Sequence, residues 1–265
     1  MQREYEWVEG WGMAVGSPTR VLRPRDEDEV RIAFDLAREA GVSLALRGTG
    51  CSYGDASTNA DGWVLDLTRM NRIRSFDAST GVADLDGGVT IGQLWRHALP
   101  HGYWPKVVSG TMFPTVGGAA GMNIHGKNNY KVGTIGDAVL DFDIVLPSGE
   151  LRTVSRASDP QLFHAAIGGL GLLGLFTRIR LETKKVHSGN LEVLGYATAN
   201  LQEMIDYFLE HDHVKLADFY KDEDLQKYYM YRERLGLPER LNRIRASKVI
   251  LLIDKQMEKD KETYE

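Results

Sequence analysis

The chain has 265 residues, 43% of them hydrophobic, 9% aromatic and 26% charged. That balance supports a buried core and excludes a disordered chain, a collagen-like repeat or a disulfide scaffold. Against 37 acidic residues stand 32 basic ones, a formal charge of −5, so there is no cationic surplus to neutralise phosphates and no nucleic-acid partner is expected.

In chain order, residues 20–24 read as a short strand closed by Pro24. Asp26 starts an acidic first turn, and Val30, Ala33, Phe34 and Ala37 keep helical spacing up to Gly41. Residues 43–46 and 62–67 read as short strands, and 73–77 with 81–86 as a hairpin. Thr90 caps a helix whose buried face is Ile91, Leu94, Trp95 and Ala98. Residues 107–136 are the least helix-like and most glycine-dense stretch. Residues 138–145 and 151–154 flank Pro147-Ser148-Gly149 as a second hairpin, and Asp159-Pro160 opens a helix through Ala166. Residues 175–183 alternate apolar and polar side chains, as a half-buried strand does.

After about residue 186 the glycine loops cease. Residues 187–196, a helix over 201–210, a tyrosine-rich stretch to Arg245, a buried strand over 247–254 and a charged tail follow. The pattern predicts an α+β fold, not a regular βαβ series, with a domain over 1–186 and the start of another over 187–265. The single cysteine, Cys51, allows no internal disulfide and no multi-cysteine site, and no metal is expected. Without an apolar leader or a run of about 18 apolar residues, a cytoplasmic location is expected, with peripheral membrane contact left open.

Glycine is in excess, 28 of 265 where about 7% is ordinary. Glycine lets backbone approach a neighbour or ligand closely, so the surplus points to ligand loops. The first such loop, Arg47-Gly48-Thr49-Gly50-Cys51-Ser52-Tyr53-Gly54-Asp55, leaves a strand without opening a helix. Its backbone N–H groups can line an anion-binding concavity. The second runs from Ser109-Gly110-Thr111 to Thr115-Val116-Gly117-Gly118-Ala119-Ala120-Gly121, with side chains small enough for main chain to lie against a flat or charged ligand. The pair suits a ligand with a diphosphate between two larger ends. Gly169-Leu170-Gly171-Leu172-Leu173-Gly174 spells the dinucleotide fingerprint, but a helix precedes it and a strand follows. That order is the reverse of what a pyrophosphate at a helix N-terminus requires. Asn123-Ile124-His125-Gly126-Lys127-Asn128-Asn129 concentrates hydrogen-bonding side chains beside the second loop, apt for a hydroxyl-bearing substrate or a redox ring. His211-Asp212-His213 reads as a solvated helix end, and Tyr228-Tyr229-Met230-Tyr231 as cavity lining or packing.

The Arg47–Asp55 and Thr115–Ala119 runs resemble the two FAD-pyrophosphate loops of the vanillyl-alcohol oxidase/PCMH flavoprotein family. With Ile124-His125-Gly126-Lys127-Asn128, they are most similar to FAD-linked sugar oxidoreductases of the decaprenylphosphoryl-β-D-ribose 2′-oxidase type. The resemblance covers roughly residues 10 to 186. It implies a PCMH-type FAD-binding domain of two α+β subdomains followed by a partial substrate domain. By matched position, Arg47, Gly48, Thr49, Gly50, Cys51, Ser52, Tyr53, Gly54 and Asp55 would wrap the pyrophosphate. Gly110, Thr115, Val116, Gly117 and Gly118 would line the flavin, His125 would sit beside it with Lys127 and Asn128, and Phe176 would touch FAD through its backbone. His125 and Lys127 are the catalytic candidates. The implied chemistry is oxidation of a secondary sugar alcohol by hydride transfer to the flavin, on a polyprenyl-phospho-pentose of cell-wall arabinan synthesis, with a partner keto-sugar reductase. A sugar-lactone or alditol oxidase, or a flavin-binding module without activity of its own, are the alternatives. Relatives with a linked flavin carry histidine where Cys51 stands, and noncovalent FAD is expected.

Overall fold

A computed structural model describes residues 4–190 and 197–211, in two compact units that divide between Lys185 and Val186. The first unit holds two sheets. Strands Glu4–Glu9 (β1), Gly16–Leu22 (β2), Leu44–Arg47 (β3) and Trp63–Asp66 (β4) lie in the order β1-β2-β4-β3. β1 runs antiparallel to β2, while β2 and β3 both run parallel to β4.

The helix Glu27–Glu39 (α1) joins β2 to β3, and its sequence dictates both its start and its buried face. The Asp26 carboxylate accepts from the Glu29 N–H at 2.9 Å, and Glu27, Asp28 and Glu29 place negative charge where the helix dipole favours it. Val30, Ala33, Phe34 and Ala37 are buried; the first three pack with Leu22, Leu65 and Met70. Each large apolar side chain so buried contributes about 1.5–3 kcal/mol.

The second sheet comprises Ile73–Asp77 (β5), Val82–Asp86 (β6), Tyr103–Pro105 (β7), Val139–Val145 (β8), Leu151–Ser155 (β9) and Leu175–Lys185 (β10). Its order is β5-β6-β10-β8-β9, with β7 also on β10, and every pairing is antiparallel. Against it pack Ile91–Ala98 (α2), Val116–Gly121 (α3), Ile135–Ala138 (α5) and Pro160–Ala166 (α6), with Asn129–Val132 (α4) in the connection between α3 and α5. Leu85, Leu94, Phe142, Phe163 and Ile179 form the centre of this core. In the second unit, Leu201–His211 (α7) is helical, with the Asn200 side chain accepting from the Glu203 N–H at 2.9 Å.

The α+β architecture and both expected hairpins are present. β1 and the first half of β2 are not among the strands read from sequence, although Tyr5 and Trp7 alternate with Glu4 and Glu6 in β1. The glycine-dense stretch over 107–136, expected to be least helix-like, contains three short helices. In α3 tertiary packing overrides weak propensity: Thr115 caps it, and Val116, Ala119 and Ala120 are buried. Trp95, expected in the buried face of α2, is only half-buried and lies 5.4 Å from Trp104, ring to ring. The readings at 191–196, His211-Asp212-His213, Tyr228–Tyr231, 247–254 and the tail fall wholly or largely outside the described residues.

Candidate functional site

A cavity of about 520 Å³ opens where loops of the first unit converge, a size typical of ligand sites. Three walls come from three separate glycine-containing segments. The exit of β3 supplies the whole run Arg47–Asp55. The approach to α3 supplies Gly110, Thr115, Gly117 and Gly118. The entrance to β10 supplies Gly171, Gly174 and Phe176.

The first wall is a row of donors. Among the described residues, no backbone N–H from Thr49 to Ala56 donates to another group of the protein. Arg47 is differently used. Its guanidinium donates to the Ser57 carbonyl and hydroxyl at 3.1 and 3.2 Å and to the Glu9 carbonyl at 2.9 Å, bracing the loop from beneath. Burial pulls it below its ordinary pKa, partly opposed by the Asp66 carboxylate nearby. The guanidinium packs against Gly50, which takes φ +71, a backbone conformation that residues other than glycine rarely adopt. Cys51 lies along the same wall, its sulfur 3.4 Å from the Thr49 hydroxyl.

The second wall works by closeness rather than donation. The N–H groups that open α3 are committed inside the protein: Val116 to Val89 O at 2.7 Å, Gly117 to Gly87 O at 2.8 Å, and Gly118 to Thr115 Oγ1 at 3.1 Å. A Cβ on Gly117 would meet Gly87 O at 2.8 Å, and one on Gly48 would collide with the Thr115 hydroxyl. The two glycine loops therefore touch each other. The Val116 side chain points into the core, fully buried.

The third wall comes from the segment whose motif resembles a dinucleotide fingerprint. It follows α6 and precedes β10, in the reversed order read from sequence. The Gly168 and Leu170 N–H groups donate to Ala120 O and Gly121 O, both at 2.9 Å, fastening this turn to the end of α3. Leu170 takes φ 56 there, half-exposed at the cavity. Phe176 is buried, edge-on to Phe142 at 4.8 Å.

His125 is exposed and does not line the cavity; its neighbour Ile124 does. Its backbone bridges Thr134, and its ring Nδ1 lies 3.4 Å from Gly126 O. Lys127 is exposed and Asn128 half-buried in the same turn. The lining residues Trp11, Leu46, Met122 and Ile124 went unread in the sequence. Apolar side chains beside a glycine loop carry no signal that separates lining from core.

The donor set suits a diphosphate-bearing dinucleotide. A concave row of unengaged N–H groups holds an anion without a metal. At Gly54 and Gly110, both on the cavity wall, an added Cβ would meet no protein atom within 4 Å.

A family model described as an FAD binding domain matches residues 18–155. The chain is 38% identical over 200 residues to the decaprenylphosphoryl-beta-D-ribose oxidase of Mycolicibacterium smegmatis, covering 75% of this chain and 44% of that protein. It is 28% identical to the D-arabinono-1,4-lactone oxidase of Eremothecium gossypii, over 74% of this chain and 38% of that one. With cytokinin dehydrogenase 3 of Oryza sativa it shares 30% identity, over 62% and 33%. The chain thus spans less than half the length of each of these relatives.

Proposed function

The chain belongs to the FAD binding domain family, and from that premise we propose that it serves an FAD-dependent oxidoreductase that oxidises a secondary alcohol of a sugar. The observation that carries the proposal is that the run Thr49 to Ala56, whose N–H groups have no partner among the described residues, lines one cavity together with the tight α3 loop. When bound, FAD supplies the acceptor for the hydride that leaves the alcohol carbon. The first loop holds the diphosphate through its N–H row. Gly117 and Gly118, whose N–H groups are committed within the protein, let main chain approach the cofactor without donating to it, and Gly110 leaves room beside it. Phe176 backs the cavity from β10.

His125, Lys127 and Asn128 are assigned to the substrate. Nδ1 lies 3.4 Å from the Gly126 carbonyl, and the tautomer protonated there would leave Nε2 to accept a proton from the alcohol. The cationic Lys127 head offsets negative charge that develops nearby. His125→Ala is expected to retain FAD and lose about a hundredfold or more in turnover; unchanged steady-state turnover would remove it from the site.

The substrate we favour is a polyprenyl-phospho-pentose, supported by the 38% identity to the ribose oxidase. Residues 187–265 would begin the substrate domain, a keto-sugar reductase would take the product, and peripheral contact with a membrane would present the lipid tail. No helix among the described residues is long and apolar enough to cross a membrane. The similarity to a lactone oxidase supports a second reading, an aldonolactone or alditol substrate. The deciding experiment starts with the purified chain's visible spectrum and acid precipitation. Yellow colour in the supernatant fits noncovalent FAD, and colour in the pellet would overturn it in favour of a covalent link at Cys51 or a histidine. Anaerobic bleaching by polyprenyl-phospho-ribose but not by an aldonolactone fits the favoured substrate, and the reverse result replaces it.

A further inference from the structure

The turn Gly10–Met13 precedes the segment that matches the FAD binding domain, residues 18–155, yet it borders the cavity. Trp11 lines that cavity while 48% exposed, and it belongs to none of the three core clusters. Packing of the core therefore does not account for a tryptophan here.

Two sets of contacts surround it. On the main-chain side, the Trp11 N–H donates to Ser52 O at 2.8 Å. A Cβ on Gly10 would meet the Ser52 and Gly54 carbonyl oxygens at 2.7 Å, and one on Gly12 would collide with that of Tyr53. The turn thus lies against the carbonyl face of the first glycine loop and engages none of that loop's N–H groups. Met13 closes it, its N–H donating to Gly10 O at 3.0 Å, with φ 52, a conformation that non-glycine residues hold only when their surroundings enforce it. On the side-chain side, the indole reaches the second loop. Its ring lies 6.0 Å from that of Phe113, tilted 30°, beside the bond from Thr49 Oγ1 to Phe113 O at 2.8 Å.

We propose that Trp11 is a cofactor-retaining residue that extends the binding site beyond the matched domain. The turn clamps the first loop by its main chain, and the indole ties that loop to the second through Phe113. The donor row is thereby fixed against the second loop, and the indole forms part of the wall. The inference rests on the FAD reading above.

The test uses the full chain stripped of flavin and titrated with FAD, following tryptophan and flavin fluorescence. Trp11→Ala is expected to weaken FAD binding about tenfold or more, and Trp11→Phe, which keeps an aromatic contact, by no more than about threefold. Of the five tryptophans, Trp11 should account for the largest share of the quenching on FAD addition, a share lost in Trp11→Phe. Wild-type affinity in Trp11→Ala overturns the inference. Should that variant fail to fold by circular dichroism, Phe113→Leu cuts the same tie from the other loop. Unchanged affinity there, with undiminished quenching in Trp11→Phe, then overturns it. Variants that behave as wild type while wild type binds FAD sink this inference alone; wild type that binds no FAD takes the flavin reading down with it.

Discussion

At the scale of single residues, glycines at the cavity divide into two kinds, and the division can be tested. Gly110 has open space around it, whereas Gly117 has the Gly87 carbonyl within 2.8 Å of an added Cβ. Gly110→Ala should therefore leave the thermal midpoint unchanged or slightly raised, since it restricts only the unfolded chain, while FAD binding weakens several-fold. Gly117→Ala should cost about 1–3 kcal/mol of stability by overpacking, read from urea unfolding. A Gly110→Ala variant that binds FAD as wild type does would show that the open space is solvent and not cofactor room. The sequence announces both residues as glycines in a dense run. It cannot say which neighbour excludes the side chain, because Gly87 lies thirty positions away on another element.

At the scale of elements, capping was the most legible feature. Asp26, Thr90, Thr115 and Asp159 each accept from an N–H within the first turn of their helix, and the sequence marks Asp26 and Thr90 through the apolar spacing that follows them and Asp159 through the proline next to it. Around Thr115 glycine masks any such spacing, so the sequence predicts only a loop where α3 stands. Thr115 also fills the space beside Gly48, joining the two loops. Thr115→Ala should cost about 1 kcal/mol from the lost cap and also weaken FAD binding. Asp26→Ala, which removes the cap of α1 at a residue that does not line the cavity, should cost a similar amount of stability and leave FAD binding unchanged. Equal FAD affinity in the two variants would remove Thr115 from the site. The Gly169–Gly174 motif teaches the complementary lesson. Its rejection as a fingerprint followed from element order, and its place on the cavity wall follows from bonds to α3 that no local pattern encodes.

At the scale of the whole molecule, several carboxylates are held in their charged form by the fold. Asp77 is lowered to about 2 by the Ser79 and Thr80 hydroxyls. Glu6 is lowered chiefly by its bonds to Arg23, and Asp137 by the Thr134 N–H. Groups whose folded pKa is depressed add stability above their unfolded values, about 4, and lose it as pH falls through the folded ones. Urea midpoints should hold steady above about pH 5 and fall between about pH 4 and 2, with Asp77→Asn shallower toward the acid end. A flat profile over that range would contradict these assignments. The alternating sheets and the change of character near residue 186 could be read because they repeat over many residues. The pairing order could not, because it depends on contacts between segments up to a hundred positions apart.

β10 is the central strand of the second sheet and the last to appear in the chain, pairing with β6 residues nearly a hundred positions earlier. Until its final residues leave the ribosome, β5-β6 and β8-β9 are two hairpins with no strand between them. The first sheet, by contrast, has all of its strands by Asp66. Synthesis therefore delivers one half ready to pair and leaves the other waiting. During that wait the apolar faces of both hairpins stay open to chaperones, to misdirected pairing and to aggregation.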